Sequence, residues 1–411
     1  MDNRINSDKV LVELSRIIVG GTFLFSGFVK AVDPLGFTYK IEDYLIEMNL
    51  VELFPLALTV AVIMVVAEFM LGALLLLGVY RKPVTLLLAL FMIIFTPFTL
   101  WVALTNPVED CGCFGDALVI SNWQTFYKNL ILLVGALLLV VKWKFISPLY
   151  SSRFSIYVSL FVALFGVLFA LHNVYKLPVL DFRPYKIGSN IPKQMYIDPD
   201  KADVLETVFI YSKDGVEKEF TEEDYPWDDP TWTFIDMETR VVVEGEKPAI
   251  EDFAMVTLNG ADITDQVLSD SGYTFLMVSY SLENMNLKYI EKFKKVNEFA
   301  ENNNYSFYLI TSSSSDKVEE WKEIHSTGIH FTHADERALK TMIRANPGLI
   351  LIKNGNVINK WDDSKVPEPT NDMLHERNPK RDNVAKLLLV TLLFFVPLII
   401  LNKIDRRLIS L

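Results

Sequence analysis

Cys111 and Cys113 are the only two cysteines among the 411 residues, and a single glycine separates them in the stretch VEDCGCFGD (108–116). Residues two apart can bring their Cα atoms within the disulfide range of about 4.4–6.8 Å. The glycine permits backbone angles that other residues resist. So small a ring is strained, and a strained disulfide is easily reduced. The spacing therefore favours thiol–disulfide exchange over a structural bridge, which here would close almost no loop.

Two other interpretations of the cysteine pair stay open. Many cysteines are retained as inert thiols, and the pair could simply form a rigid turn. Asp110 and Asp116 flank it, and their negative charge is expected to raise the thiol pKa and slow attack. A metal site is the least favoured interpretation, because a CGC pair supplies too few ligands for zinc.

Three ionisable residues lie in the first two long apolar segments: Arg16 and Lys30 in the first, and Glu68 in the second. Glu68 is near the middle of the second segment, where an ionised carboxylate is costly, so we expect it to face the bundle interior and be paired, with Arg16 of the first segment within reach. Glu68 is then either a polar contact that fixes helix register or a group that handles a proton or polarises a quinone. Lys30 either extends to the membrane surface or lies under the cysteine turn and favours a thiolate.

Six segments are long and apolar enough to span a bilayer, which takes about 20 residues each. They lie near 11–32, 53–79, 84–104, 124–142, 154–173 and 384–402. Lys and Arg in the short loops predict that both termini are cytoplasmic, so the loops 33–52 and 105–123 and the region 176–380 face outward. In a bacterium this is a multi-pass protein of the cytoplasmic (inner) membrane whose outward face is the periplasm, where disulfides persist.

The composition indicates membrane helices joined to an acidic soluble part, because the chain is 51% apolar and carries a net charge of −12. That balance argues against nucleic acid as a partner. Residues 176–254 are acidic and rich in strand formers, with a hairpin signal at Asp214-Gly215, and 255–380 alternate strands and helices before a hairpin signal at Asn354-Gly355. We therefore predict an α-helical polytopic membrane bundle of about six spans, plus a soluble α/β domain (255–380) with a β-rich N-terminal extension (176–254). Residues 381–411 would supply the sixth span and a cytoplasmic tail.

The order of elements in 255–380 resembles the thioredoxin fold. It is carried by the apolar strands YTFLMVSY (273–280) and YSFYLITS (305–312) and by Pro347 just before the last hairpin. The resemblance implies that this proline is cis and faces the family's active site. The family's CxxC would fall within 281–286, which here reads SLENMN and has no cysteine. A thioredoxin-like domain without its dithiol is expected to bind or dock a partner.

Three motifs in the first 142 residues resemble the DoxX/MauE family of four-helix membrane proteins. They are RIIVGGTFLFSGFVKAVDPLGFTYKIEDYL (16–45), AEFMLGALLLLG (67–78), and CGCFGD followed by WQTFYKNLILL. Residues 1–175 are thus predicted as a four-helix core (11–142) with a fifth span. The resemblance implies disulfide formation in a periplasmic partner, as for MauE-type proteins, or quinone-linked oxidoreduction, as for DoxX-type proteins.

Two functions follow as hypotheses, both in a lipid bilayer. In the first, Cys111 and Cys113 carry a redox change, Glu68 and Lys30 assist it, Arg16 and Glu68 bind a quinone, and the outer domain docks a periplasmic client protein. In the second, the protein is a non-enzymatic assembly or scaffold factor, and its thioredoxin-like domain binds the client.

Overall fold

The computed structural model describes residues 2–108, 110–243, 245–251, 253–325, 328–376 and 378–410, with side chains from residue 7 onward. Among these residues six helices are long and apolar enough to cross a membrane. They coincide with the six expected segments to within four residues at each end, except that the last helix extends five residues before and seven residues beyond its expected segment. The first part of the chain forms α1 (Asp2–Val32), α2 (Pro34–Glu47), α3 (Phe54–Leu77), α4 (Arg81–Thr105), α5 (Asn122–Val141) and α6 (Ser155–Tyr175).

Helix α2 lies in the segment 33–52, for which the sequence predicts a loop, and that prediction is wrong. Asp33 caps it, because Asp33 Oδ1 accepts a hydrogen bond of 3.0 Å from Gly36 N. Pro34 occupies the first helical position, where its missing N–H costs nothing. This Asp-Pro start was present in the sequence, but hydropathy alone does not detect it.

Helices α1 and α3 cross with their backbones in contact. A Cβ atom built on Gly27 would lie 2.3 Å from Phe69 N, and one built on Gly72 would lie 2.3 Å from Leu24 N. Glycine is therefore required at both positions, as is common where membrane helices pack closely. The crossing brings the last turns of α1 beside the middle of α3.

Residues 191–243 contain a short helix and a small antiparallel sheet. The elements are α7 (Ile191–Met195), β1 (Val204–Lys213), β2 (Val216–Phe220) and β3 (Thr233–Val243). The strand order is β2-β1-β3, and Asp214 and Gly215 both have positive φ, which confirms the predicted hairpin. The sheet joins the rest of the chain at a neck where Glu246 N donates to Lys201 O at 2.7 Å.

The predicted α/β domain is confirmed. Its elements are β4 (Val256–Thr257), α8 (Thr264–Leu268), β5 (Tyr273–Ser279), α9 (Ile290–Asn302), β6 (Ser306–Thr311), α10 (Ser315–His325), β7 (His330–His333), α11 (Glu336–Met342), β8 (Gly348–Lys353) and β9 (Asn356–Asp362). The strand order is β4-β7-β6-β5-β8-β9, with β5, β6 and β7 parallel and β8 and β9 antiparallel to their neighbours. This is the expected thioredoxin-like order, and the Asn346–Pro347 bond is cis.

Part of the predicted β-rich extension (176–254) belongs instead to the α/β domain. Gly188 N donates to Val357 O at 2.8 Å, which adds this segment to the free edge of β9. Tyr185 and Ile191 are buried in the same core as the central strands. The β-rich sheet is thus an insertion in the chain of the α/β domain.

The last helix, α12 (Pro379–Ile409), returns through the membrane beside α6. The Tyr150 hydroxyl donates to Leu398 O at 2.8 Å, and Phe394 packs on Phe165 with ring centroids 5.0 Å apart. Because the six spans alternate in direction, the turn 106–121, α2 and the α/β domain all lie at one end of the bundle.

Candidate functional site

The cysteine turn is fixed where it leaves α4 and where it enters α5. Ser121 caps α5 with its side chain, and the Asn122 amide donates to Val108 O at 2.9 Å. Within the turn, Asp110 Oδ1 accepts a hydrogen bond of 2.7 Å from Gly112 N. Gly112 has a φ of +68°, a conformation that other residues adopt at a cost.

The two thiols are in direct contact. Cys111 Sγ and Cys113 Sγ lie 3.3 Å apart, and both are free thiols. Cys111 is buried, whereas Cys113 is partly exposed. The spacing expected from the CGC pattern therefore brings the sulfurs together as a dithiol.

The thiols differ in acidity. The hydrogen bond from Cys111 lowers the pKa of Cys113, and the nearby ammonium groups of Lys128 and Lys30 lower it further, against the effect of burial. The pKa of Cys111 is raised, because its proton is held in that hydrogen bond and its sulfur is buried. Cys113 is thus the thiolate and the better nucleophile at neutral pH.

The two flanking aspartates do not have the effect expected from the sequence. Asp110 is neutralised by Lys40, whose Nζ lies 3.0 Å from Asp110 Oδ2. Burial raises the pKa of Asp116, and the charge of Asp33 raises it further. The pKa of Cys113 is nevertheless lowered, by the hydrogen bond from Cys111 and by Lys128 and Lys30, so the expected net rise does not occur at this thiol.

A buried ion pair lies directly under the turn. Lys30 Nζ is 2.8 Å from Glu68 Oε1 and 3.0 Å from Oε2, and both side chains are almost fully buried. Glu68 therefore faces the bundle interior in a pair, as expected. Of the two positions considered for Lys30, the structure has the one below the cysteines. Ser26 completes the contact, with its Oγ 2.7 Å from Glu68 Oε2 and 2.8 Å from Cys113 O. Ser26 is not among the residues predicted from the sequence, although it precedes Lys30 by four residues and so shares its helix face.

Arg16 lies elsewhere, and its expected pairing with Glu68 is wrong. Arg16 Nη1 pairs with Glu13 at 3.0 Å, and Nε donates to Leu75 O at 3.0 Å, so the guanidinium caps the end of α3. The reason is distance along the helix: Arg16 is 14 residues from Lys30, or about 21 Å. Lys30, not Arg16, reaches the level of Glu68 on the neighbouring helix.

The sulfurs, Ser26, Lys30 and Glu68 line one cavity of about 320 Å³ in the membrane region. Its other walls are largely apolar and aromatic: Phe23, Phe37, Phe91, Phe95, Phe98 and Tyr44. The wall also includes Val60 of α3 and Ile94 of α4, which are 41% and 58% exposed on the outside of the bundle. The cavity therefore adjoins the surface that a membrane would cover.

The α/β domain holds no second dithiol, since both cysteines of the chain are in the turn. At the position after β5 where the thioredoxin family carries its cysteines, the Ser281 carbonyl accepts a hydrogen bond of 2.8 Å from the Asn346 amide. Any thiol chemistry of this chain takes place at Cys111 and Cys113.

Comparison with known proteins supports the membrane part most directly. Residues 8–142 match the family model described as methylamine utilisation protein MauE, and this range contains the cavity and both cysteines. Residues 205–244 match a domain of unknown function (DUF8463). No curated protein matches the chain. Among solved structures, the solution structure of a candidate protein disulfide isomerase from Bacteroides thetaiotaomicron is 15% identical, with a TM-score of 0.22, over 30% of this chain and 79% of that one.

Proposed function

We propose that this protein is a membrane dithiol–disulfide oxidoreductase in which Cys111 and Cys113 exchange two electrons with a quinone in the apolar cavity. One observation carries the proposal. Two thiols 3.3 Å apart and a buried Lys–Glu pair line the same apolar cavity within the membrane region. A thiol pair kept only as a rigid turn would not need a buried ion pair, which is costly to desolvate.

The chain supplies suitable contacts for such a ligand. Aromatic walls fit a flat ring, and the Lys30 ammonium and the Asn129 amide are hydrogen-bond donors within the same cavity. Apolar side chains on the bundle surface offer a route from the lipid. Glu68 of the predicted quinone-binding pair fits this role, whereas Arg16 lies outside the cavity.

The reaction balances with these groups. Counted from the fully protonated dithiol, both S–H bonds break, one S–S bond forms, and two electrons and two protons are given up. A quinone supplies a two-electron, two-proton acceptor. The disulfide then returns to the dithiol by exchange with a partner protein's dithiol, which becomes the oxidised product. The proposal puts this exchange at the periplasmic face of a bacterial inner membrane, on the basis of the positive short loops.

Ser26 and Glu68 are suited to move a proton. The Ser26 hydroxyl has one hydrogen but lies within hydrogen-bond distance of two acceptors, Glu68 Oε2 and Cys113 O. Because the hydroxyl can donate to only one of them at a time, it can turn between the Glu68 carboxylate and the backbone of the turn. The Glu68 carboxylate could therefore receive a proton released during thiol oxidation, because the Ser26 hydroxyl connects it to the turn.

The test uses the full-length protein, reduced and placed in lipid nanodiscs with a short-chain quinone. We expect one quinol formed and two thiols lost per chain. Glu68→Gln should slow the reaction by about a hundredfold, the usual lower bound for a lost acid–base group. Glu13→Gln is the matched control, because Glu13 forms an ion pair with Arg16 away from the cavity, and it should leave the rate unchanged. If no quinol forms and the number of thiols does not change, the proposal is wrong.

A second candidate, a non-enzymatic assembly factor, is favoured by one observation. Strand β3 is exposed along its whole length, and it presents apolar side chains such as Phe234, Met237 and Val242. Such a strand suits a protein partner. Full function of a Cys111→Ser/Cys113→Ser variant, together with loss of function when 204–243 are removed, would support this candidate against the first.

A further inference from the structure

Helix α2 covers the cysteine turn on the side of the α/β domain. Lys40 of α2 pairs with Asp110 of the turn at 3.0 Å, and the Tyr44 hydroxyl donates to Cys111 O at 3.4 Å. A Cβ atom on Gly112 would lie 3.0 Å from Lys40 Cγ, so helix and turn are in direct contact. Movement of α2 would uncover the turn.

The α/β domain in turn holds α2 at its first residue. Arg344 Nε and Nη2 donate to the Asp33 carboxylate at 2.9 Å and 2.8 Å, and the Arg344 residue is only 7% exposed. Lys340 adds a weaker contact, with its ammonium 4.5 Å from the Tyr39 ring centre. A buried two-point arginine–carboxylate contact is the strongest of these interactions. Because Asp33 also caps α2, this contact fixes the end of the helix.

The turn separates two spaces of different character. The sulfurs line the apolar cavity in the membrane region. On the other side, a polar cleft of about 560 Å³ lies between α2, the turn and the α/β domain, and the turn presents Gly112 and Gly115 to it. Among the described residues that line this cleft, neither cysteine appears. A partner in the lipid therefore meets the sulfurs, whereas a partner in water meets α2 and the backbone of the turn.

We propose that the Asp33–Arg344 ion pair is a latch by which the α/β domain keeps α2 closed over the dithiol. With the latch closed, water-borne thiol reagents or protein thiols are excluded from Cys111 and Cys113, while the apolar side of the site stays accessible. Opening the latch lets α2 move and admits the water-borne partner. The reaction of the admitted partner rests on the proposed redox function. The access of water-borne reagents to the two cysteines does not, and can be measured separately.

The latch is tested by the rate of thiol labelling on the full-length reduced protein in nanodiscs. Two probes are compared: a charged, membrane-impermeant maleimide and apolar N-ethylmaleimide. In Arg344→Gln we expect the charged probe to react at least about tenfold faster than in the wild type, because one partner of a buried ion pair is lost. The rate with N-ethylmaleimide should change little.

Two further variants control the experiment. Arg337→Gln removes the exposed ion pair that Arg337 of α11 forms with Asp43 of α2. Exposed pairs contribute little, so labelling should stay slow. Asp33→Asn keeps a side-chain oxygen for the cap of α2 but loses the ion pair. It should react fast with the charged probe and at the wild-type rate with N-ethylmaleimide, which separates latch opening from general unfolding. Wild-type labelling rates in both Arg344→Gln and Asp33→Asn would overturn the latch. Slow labelling of a wild-type protein that reduces no quinone would remove the redox proposal and leave the latch standing.

Discussion

At the residue scale, the two cysteines differ because the hydrogen bond between them has a direction. With Cys113 as the thiolate, the Cys111 thiol donates the hydrogen bond and Cys113 Sγ accepts it, so the pKa of Cys111 rises and that of Cys113 falls. Lys30 and Lys128 add positive charge beside Cys113. Residues that are nearly adjacent in sequence thereby differ in acidity. In the proposed exchange, Cys113 would be the attacking sulfur and Cys111 the one that closes the disulfide.

This difference predicts the pH dependence of alkylation. Because the pKa of Cys113 lies below its usual range, its thiolate is present at lower pH, and the alkylation rate should reach half its maximum below the value of about 8.5 for a free cysteine. Cys111→Ala removes the hydrogen-bond donor, so the midpoint should move to higher pH. Iodoacetamide labelling of Cys113 between acid and alkaline pH measures both.

Cys111→Ser is the matched control for that shift. The serine hydroxyl can still donate to Cys113 Sγ, so its midpoint should stay closer to the wild type than that of Cys111→Ala. Equal midpoints in the alanine variant and the wild type would show that the hydrogen bond does not set the acidity of Cys113.

At the element scale, the site depends on how closely α1 and α3 approach. Gly27 and Gly72 let the backbones touch, and this contact sets the distance between Lys30 on one helix and Glu68 on the other. A wider crossing would leave two separated charges in an apolar environment, which is unfavourable.

Alanine at either crossing glycine should therefore destabilise the bundle. We expect Gly27→Ala to lower the free energy of unfolding by about 1–3 kcal/mol, the usual cost of overpacking, and to slow the redox reaction. Gly21→Ala is the control, because a Cβ there has no neighbour within 4 Å, and alanine is the better helix former. Thermal unfolding in detergent compares the two, and a loss of stability equal in both variants would contradict the role of the crossing.

The sequence predicts those elements whose signals are local. Six spans follow from hydropathy, and the turns at Asp214 and Asn354 follow from their Asx-Gly pairs, whose positive φ angles the structure confirms. The partners of Glu68 could not be derived in this way, because helix approach and register decide whether Lys30 or Arg16 reaches it. Helix α2 was missed because it is amphipathic and short, and its function depends on contacts with distant parts of the chain.

At the scale of the whole molecule, the three-stranded sheet is attached through a narrow neck. Glu246 N donates to Lys201 O at 2.7 Å, and Gly245 N donates to Asp203 Oδ1 at 2.7 Å, so the chain leaves and returns at one point. The sheet packs mainly on itself. It is therefore separable from the dithiol site in structural terms.

Replacing residues 204–243 by a short Gly-Ser linker should leave the remainder folded. We expect the unfolding midpoint of the membrane part and the labelling rate of Cys113 to be unchanged, because the neck ends are already close and short loops cost little to close. Thermal unfolding and maleimide labelling check this. A large loss of either would show that the sheet supports the site.

The α/β domain is tethered to the membrane at both ends, by α6 and by α12. Tyr185 in its core follows the end of α6 at Tyr175 by ten residues, which span about 35 Å at most. Met373 in its core precedes Pro379 at the start of α12 by six residues, or roughly 20 Å. An unlatched domain thus stays at an effective concentration on the order of millimolar around α2. Reclosure is then unimolecular, so its rate does not depend on how much of the protein the membrane contains.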